Sequence, residues 1–294
     1  MIPLFGTVLA AVLGLAFGSF LNVCASRWPE NESILKPPSH CRSCDRRLAW
    51  WENLPLVSWL ALRGHCRTCH ASIGWRYPLA ELAVAILWAA TVWRFLSSHP
   101  QPDFSDLAYA IDLANTVASI IFLWLLVALA VLDAENLWLP DRLVLPGIAL
   151  GLLLGVTCAS LESFLHLGGG FVVWEHMVAM ATVSWFLGAV VAAAVVLAAR
   201  FIFIVIRDQE GIGMGDVKLM AMLGGWFGIK RSLLAFAIGV VTCAVYALLM
   251  LRAPSIRANP KAWAKLKLPL GTFICLGGVV TAFWGVPIVL AYWH

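Results

Sequence analysis

The sequence predicts an all-α polytopic membrane protein with about eight transmembrane helices and a small cysteine-bearing cytoplasmic insert. Of its 294 residues, 62% are hydrophobic and only 12% are charged. The mean hydropathy of +0.88 lies outside the range of soluble domains. Seven apolar runs are long enough to cross a bilayer, and two Cys-x-x-Cys motifs lie in the longest polar segment.

The apolar runs predict the transmembrane helices directly, because a bilayer needs about 20 apolar residues in helical conformation. The predicted spans are 3–25, 78–97, 110–132, 143–160, 177–204, 232–251 and 270–292. The first lacks the basic start and the cleavage site of a secretory signal, so we expect a retained helix. The eighth apolar stretch, 217–228, is too short to cross upright, and we predict a short helix buried among the others.

Lysine and arginine predict the orientation, since short basic loops stay in the cytoplasm. Segments 27–77 and 252–268 are both strongly basic, and they lie on the same side only if the membrane is crossed eight times. We therefore predict three regions: 1–26 as a first transmembrane helix, 27–77 as a cytoplasmic four-cysteine domain, and 78–294 as a seven-helix membrane domain. The net charge of +4 reflects this topology, and no basic patch with interleaved aromatic residues indicates a nucleic-acid partner.

The four-cysteine segment indicates a metal site. Two motifs, "CRSC" and "CRTC", are separated by 21 residues, and they contribute Cys41, Cys44, Cys66 and Cys69. Four thiolates at this spacing are typical of a zinc ribbon, in which structural Zn²⁺ has no open coordination position. A pair of disulfides or free thiols is the alternative, although cytoplasmic thiols stay reduced. The neighbouring His40, His65 and His70 are alternative ligands, but their positions beside cysteines are more typical of surface residues.

Two carboxylates are predicted at the cytoplasmic ends of apolar helices. Asp133 follows the third span, and Asp216 begins the short helix. Carboxylates that meet share a proton, and such a pair offers the general base and general acid that peptide hydrolysis requires. Asp141 is the rival of Asp133, but its position after a proline and before a span is typical of a helix cap.

The segment "GIGMGDVKL", residues 211–219, surrounds the second carboxylate. Gly213 and Gly215 are expected to give clearance to an extended substrate backbone and to adopt backbone angles closed to other residues. A flexible turn between helices is the alternative. We assign Lys218 to the same active-site loop, where the simpler interpretation is a charge-balancing residue.

Four blocks of the chain together resemble the type IV prepilin peptidases, which are membrane aspartic proteases with a Gly-x-Gly-Asp motif. The blocks are "GSFLNVCASRWP" at 18–29, the cysteine segment at 37–82, "DAENLWLPDRLVLP" at 133–146 and "GMGDVKLMAMLGGWFG" at 213–228. The resemblance implies a bacterial inner-membrane endopeptidase that removes the basic leader of type IV prepilins or type II secretion pseudopilins at the cytoplasmic face. Asp133 and Asp216 match the two catalytic aspartates of the family.

The resemblance also implies a second activity. Family members with the cysteine insert often methylate the new N-terminus with S-adenosylmethionine, but this chain has no glycine-rich nucleotide loop that would locate such a site. One alternative function is a presenilin-like intramembrane aspartic protease. Another is a transporter with a zinc docking module, which would require charges at mid-membrane and repeat symmetry. "LPLGTF" at 268–273 departs from the usual family pattern.

Overall fold

The computed structural model describes residues 2–99, 107–167, 171–208, 211–252 and 268–292. Within these ranges the chain is helical, with isolated β-bridges but no strand. The helices are α1 (Ile2–Arg27), α2 (Val57–Ala61), α3 (Arg76–Ser98), α4 (Leu107–Asn136), α5 (Asp141–Leu167), α6 (Phe171–Arg207), α7 (Met214–Leu251) and α8 (Leu270–Tyr292). Most of the basic segment 252–268 lies outside the described residues.

Seven of the described helices are long and apolar enough to cross a membrane, which confirms a multi-pass membrane protein. By length and hydropathy, the candidate spans are Pro3–Glu30, Arg76–Ser98, Leu107–Asn136, Asp141–Phe164, Val173–Ile206, Met214–Leu251 and Leu270–Ala291. Each of the seven predicted spans falls within one of these helices. The agreement follows from the strength of the signal, because a run of apolar residues satisfies its backbone in lipid only as a helix.

Helix α7 contains the predicted short helix. Gly228 has φ 72° and ψ 179°, which interrupts the helical backbone and separates 214–227 from 229–251. A positive φ of this kind is readily adopted by glycine. The first segment is the more deeply buried part of α7, since Leu219, Met220 and Leu223 are fully buried. The apolar stretch at 217–228 is therefore a short buried helix, as predicted.

The chain divides into two compact units, Met1–Ala128 and Leu129–His294, called here the N-terminal and C-terminal units. In the N-terminal unit, α1 and α3 cross in backbone contact. A Cβ atom added at Gly18 would lie 2.5 Å from the Cα atom of Glu81, and one at Gly14 would lie 2.7 Å from Cα of Ala85. Small residues permit this close approach between membrane helices.

The C-terminal unit is also held by glycine contacts. Gly188 of α6 and Gly224 of α7 meet so closely that a Cβ atom on either would collide with the backbone of the other. The indole of Trp226 in α7 donates a hydrogen bond of 2.8 Å to the carbonyl of Gly147 in α5. These contacts hold the first segment of α7 against α5 and α6, and they thereby fix the position of its N-terminal end.

Candidate functional site

Asp133 lies in the last turn of α4 and is only 6% exposed. The helix ends because Leu137 takes a left-handed conformation, with φ 52°. Its N–H donates to the Asp133 carbonyl at 2.9 Å, which is a common way to terminate a helix. The Asp133 side chain therefore stands at a defined helix end, followed by the loop 137–140.

Thr272, in the first turn of α8, holds the Asp133 carboxylate. Its backbone N–H donates to Oδ2 of Asp133 at 2.7 Å. Its hydroxyl lies 3.1 Å from the same oxygen and 3.0 Å from the carbonyl of Ala130. The carboxylate thus faces the N-terminal end of α8, where the helix dipole favours negative charge.

Asp216 occupies the third position of α7 and is 7% exposed. Its Oδ2 atom accepts a hydrogen bond of 3.2 Å from the N–H of Gly213, the residue that caps the helix. A carboxylate at this position satisfies one of the unpaired N–H groups of the first turn. Both aspartates are therefore buried and positioned by backbone amides at helix N-termini.

Three helix ends meet at Leu139, in the loop after α4. A Cβ atom at Gly215 would lie 3.0 Å from Cβ of Leu139, and one at Gly271 would lie 3.0 Å from Cδ1 of the same residue. The Cβ atom added at Gly271 would also lie only 2.9 Å from Oδ2 of Asp133. Asp216 follows Gly215 in the first turn of α7, so its carboxylate is carried by one of the helix ends at this junction. The structure thus brings the two predicted aspartates together in the C-terminal unit.

Two buried carboxylates at one junction of helix ends have a defined chemical capacity. When two such carboxylates approach each other in a low-dielectric site, ionising both is unfavourable and one of them keeps a proton. One carboxylate can then take a proton from water while the other gives one to a leaving group. This is the chemistry needed to hydrolyse an amide without a metal or a covalent intermediate.

Gly213 and Gly215 were expected to adopt backbone angles closed to other residues, and this prediction is wrong. Among the described glycines only Gly64 and Gly228 have positive φ, and Gly213 is extended, with φ −73° and ψ 152°. Gly215 is tightly packed against Leu139, so its missing side chain allows α7 to approach the loop after α4. A Cβ atom at Gly213 would meet nothing closer than Oδ2 of Asp216, at 3.5 Å. Clearance for a substrate backbone remains a prediction.

Lys218 and Asp141 form an ion pair. The Lys218 ammonium lies 2.7 and 2.9 Å from the two carboxylate oxygens of Asp141, and both side chains are partly exposed. Asp141 is the first residue of α5, and its interpretation as a helix cap stays a prediction. Because Asp141 is engaged by Lys218 while Asp133 faces Thr272, the geometry favours Asp133 over its rival. The ion pair with Asp141 also gives Lys218 a charge-balancing contact.

Gly271 and Thr272 are site residues that the sequence interpretation missed. They lie in "LPLGTF", which was noted only as a departure from a family pattern. A threonine in the first turn of a helix after proline is a weak signal, because such residues commonly start helices. Their contact with Asp133 depends on the packing of α8 beside α4, which no local pattern reveals.

The four motif cysteines form one cluster, as predicted. Their sulfur atoms all lie within 4.8 Å of one another, and the Cys41 and Cys69 sulfurs are 3.7 Å apart. Tetrahedral zinc, with Zn–S bonds of about 2.3 Å, separates its sulfur ligands by about 3.8 Å. The cluster therefore has the donor set and the dimensions of a closed zinc site.

The backbone forms each motif in the same way. The N–H of Cys41 donates to the Arg46 carbonyl and the N–H of Cys66 to the Ala71 carbonyl, each at 2.9 Å. The residue after the second cysteine is left-handed in both motifs, with φ near 54° and 56°. All eight cysteines are free, so the disulfide alternative is not formed. The cluster contains no histidine, because His40 and His65 direct ring nitrogens to backbone carbonyls.

The electrostatics of the insert favour metal binding. Backbone amides of Cys69 and Thr68 lower the pKa of Cys66 to about 6, so this sulfur is a thiolate at neutral pH. The Ala71 amide favours the thiolate of Cys69, but burial and the neighbouring thiols raise its pKa to about 11. A divalent metal would displace the proton of such a thiol.

A buried ion pair supports the first cysteine motif. The guanidinium of Arg46 donates to both oxygens of Glu52, at 3.0 and 2.6 Å. Hydrogen bonding to Arg46 lowers the pKa of Glu52. The Glu52 carboxylate also accepts the Ala49 N–H at 2.7 Å. The motif is thereby tied to the short helical turn Trp50–Asn53, which gives the insert a rigid polar core.

Comparison with known sequences identifies relatives over nearly the whole chain. The profile described as "Bacterial Peptidase A24 N-terminal domain" matches residues 12–95, and that of the "Type IV leader peptidase family" matches 120–248. A Stutzerimonas stutzeri protein called "Prepilin leader peptidase/N-methyltransferase" is 34% identical, over 99% of this chain and 94% of its own. Proteins with the same name are 32% identical in Xanthomonas campestris, over 99% and 95%, and 30% identical in Pseudomonas putida, over 97% and 93%. No solved structure matches.

Proposed function

Because this chain belongs to the type IV leader peptidase family, we propose that it cleaves the leader from type IV prepilins or pseudopilins and then methylates the new N-terminus. The observation that carries the peptidase activity is the buried pair of Asp133 and Asp216 at the junction of α4, α7 and α8. The methyltransferase activity is supported by the names of the relatives and by the complete cysteine insert.

The proposed hydrolysis uses the aspartates as one unit. A water molecule between the carboxylates loses a proton to the ionised member as it attacks the scissile carbonyl. The proton held by the other member passes to the leaving amine. Thr272 and Gly213 hold one oxygen of each carboxylate, so the pair is positioned before substrate arrives. The acid and base roles belong to the pair and exchange during the reaction.

We further propose a place for the enzyme in the bacterial inner membrane, with the cysteine insert and the aspartate pair facing the cytoplasm. Eight arginines and lysines in 27–77 support this orientation of the insert through the positive-inside rule. The break at Gly228 divides α7 into two helical segments, which is compatible with the eight crossings that the charge pattern predicts. Gly213, Gly215 and Lys218 remain proposed parts of the loop that receives substrate.

Two small-molecule requirements accompany this proposal. Zn²⁺ held by Cys41, Cys44, Cys66 and Cys69 would stabilise the polar insert 27–77, which has little apolar core of its own. S-adenosylmethionine would donate the methyl group. The peptidase step itself requires neither, because water and the two carboxylates complete it.

The two alternative functions are less well supported. A presenilin-like protease would cut inside a membrane span, whereas Asp133 and Asp216 lie at helix ends, beside the terminus of α4 and the start of α7. A transporter would need charged residues along a path through the membrane. The buried carboxylates of the C-terminal unit are instead gathered at one junction.

Mass spectrometry of a prepilin incubated with the purified full chain tests both activities. We expect loss of the basic leader, and a further gain of one methyl group only when S-adenosylmethionine is present. Cleavage inside the apolar segment of the substrate would favour the presenilin-like alternative. An unchanged substrate mass, with a chain that is folded and carries zinc, would contradict the proposal.

A further inference from the structure

The short helix α2 of the cysteine insert has an apolar face that the described part of the N-terminal unit leaves uncovered. Val57 is 60% exposed and Leu60 is 66% exposed. They are three residues apart, so they lie on the same side of the helix. The opposite side is occupied, because Ser58 and Trp59 line a cavity between the insert and the ends of α1 and α3. The exposed side therefore needs another explanation than the packing of the insert itself.

Trp59 fixes α2 against the start of α3. The centroid of its ring is 4.4 Å from that of Trp75, the residue before α3. Its indole N–H donates to the carbonyl of Ile73 at 3.1 Å. On another side, a Cβ atom added at Gly64 would lie 3.0 Å from the Trp59 ring. Because these contacts hold Trp59, α2 has a defined position beside the first turn of α3.

The exposed face of α2 continues an apolar stripe on α3. Trp75 has helical backbone angles, and it is exposed, as are Leu79, Leu82 and Ile86. Their spacings of four, three and four residues place all of them on one side of the helix. Since α3 is a candidate membrane span, this exposed stripe is the surface that faces lipid. The contact between Trp59 and Trp75 brings α2 to the beginning of the stripe.

A hydrogen bond to α3 sets the depth of α2. The N–H of Leu56, the residue before α2, donates to Oε2 of Glu81 at 2.8 Å. Glu81 follows Arg76, the first residue of α3, by about 7.5 Å along the helix axis at 1.5 Å per residue. The headgroup layer of a bilayer is about 5–7 Å thick on each side of the hydrocarbon core. The start of α2 is therefore at the depth of this layer when α3 spans the membrane.

We propose that Val57, Leu60 and Trp75 form a membrane-binding surface that seats the cysteine insert in the headgroup layer of the bilayer. The partner is the membrane that α1 and α3 cross, because the surface is continuous with the lipid-facing stripe of α3. Tryptophan is enriched at this depth, where its ring is in an apolar setting and its N–H is wet. The exposed Arg63 and Arg76 flank the surface in sequence, and guanidinium groups fit the phosphates of anionic lipids.

Photocrosslinking of lipid to the purified full chain in vesicles tests this surface without a variant and without a substrate. The probe is a phospholipid with a diazirine near the glycerol end of its acyl chain, and the modified residues are mapped by mass spectrometry. We expect label at Val57 and Leu60 as well as within 79–86. The polar segment 41–47 is the internal reference and should stay at background. Background label within 54–63, with strong label within 79–86, would overturn the proposal.

Leu60→Asp should lower the lipid label within 54–63 by at least about fivefold, because a charged side chain stays in water where an apolar one enters the bilayer. The label within 79–86 should not change. Asn53→Asp is the matched control, since it adds the same charge to an exposed residue that lines the cavity, and it should be labelled like the wild type. Unchanged label in Leu60→Asp, or an equal loss in both variants, would contradict the proposal.

The lipid composition tests the charged part of the surface. Vesicles that contain phosphatidylglycerol should give at least about twofold more label within 54–63 than vesicles of phosphatidylcholine alone, because arginine side chains are attracted to an anionic surface. High salt should reduce this difference, since it screens exposed charges. Arg63→Gln should reduce it at low salt. Equal label in the two kinds of vesicle would overturn the preference for anionic lipid.

A protein partner is the other occupant that an exposed apolar surface could have. A prepilin added in excess before irradiation distinguishes it from lipid, because a bound protein would shield the surface from the probe. We expect the label within 54–63 to stay unchanged. Protection of 54–63, with the label within 79–86 retained, would assign the surface to the substrate and overturn its assignment to the membrane.

Discussion

The cysteine cluster and the aspartate pair are built in opposite ways. All four cysteines lie between residues 41 and 69, and each motif is shaped by its own backbone hydrogen bonds. The aspartate site instead joins residues as far apart in the chain as Asp133 and Thr272, 139 positions from each other. A local site can therefore be recognised from spacing alone, whereas a distributed site depends on how helices pack.

The same difference predicts how each site fails. The cluster should fail all at once when one ligand is lost, because four-coordinate zinc has no substitute thiolate nearby. The aspartate site should fail by degrees when the residues that position its carboxylates are changed, because several helix contacts contribute to its geometry, and completely only when an aspartate itself is lost. Substitutions at four kinds of position test this distinction, beginning with the largest expected effect.

Replacing one cluster cysteine should abolish metal binding. Cys66→Ser removes the thiolate with the lowered pKa, and structural zinc contributes about 10–16 kcal/mol to folding of such sites. Metal analysis of the purified protein should find stoichiometric zinc in the wild type and none in the variant. Cys158→Ser, in α5, is the control and should keep its zinc. Zinc retained in Cys66→Ser would contradict the assigned ligand set.

Replacing either aspartate by asparagine should reduce cleavage by at least about 10³-fold, because one member of the acid–base pair is lost. Prepilin processing measured by gel shift or mass spectrometry gives the rate. Asp141→Asn is the matched control. It removes an exposed ion pair, worth at most about 1 kcal/mol, and should lower cleavage by no more than about fivefold. A larger loss in Asp141→Asn than in Asp133→Asn would exchange the roles assigned to them.

Gly271→Ala should disturb the geometry of Asp133, because the new methyl group would lie 2.9 Å from its Oδ2 atom. Overpacking of about 1–3 kcal/mol predicts cleavage about 5-fold to 100-fold slower, measured as kcat.

Gly213→Ala is the matched control for this substitution, since its methyl group has room at 3.5 Å. It should leave kcat unchanged. A raised KM in Gly213→Ala would support the predicted clearance for a substrate backbone, while an unchanged KM would remove it. Wild-type kcat in Gly271→Ala would show that α8 does not position the carboxylate.

Thr272→Val should have the smallest effect of the four. The substitution removes the hydroxyl but keeps the backbone N–H that donates to Asp133. A net hydrogen-bond contribution of about 1 kcal/mol corresponds to roughly fivefold in kcat. Thr272→Ser restores the hydroxyl and should recover most of the rate. A loss in Thr272→Ser with a wild-type rate in Thr272→Val would indicate that packing of the methyl group matters instead.

Much of the fold could be predicted because hydropathy determines it. Predicting the seven spans required only a count of consecutive apolar residues. The short helix at 217–228 was predicted because that apolar stretch is too short to cross the membrane upright. The position of the cysteine cluster followed from two identical spacings. In each case the information lies within one segment, and the membrane or the metal enforces a single outcome.

The unpredicted parts concern contacts between segments. Gly271 and Thr272 serve Asp133 only because α8 packs beside the end of α4. The angles expected of Gly213 and Gly215 were wrong, because helix capping and a close contact with Leu139 explain glycine there without positive φ.

The crossing of α1 and α3 has a consequence for protein engineering. Because Gly14 and Gly18 press one helix against the other and Asn22 donates to the Tyr77 carbonyl at 3.0 Å, both ends of the insert leave the membrane from neighbouring points. An insert whose two ends lie this close together can be exchanged for another segment. We expect that a short linker can join α1 to α3 in its place, because the contacts at Gly14 and Gly18 do not involve the insert.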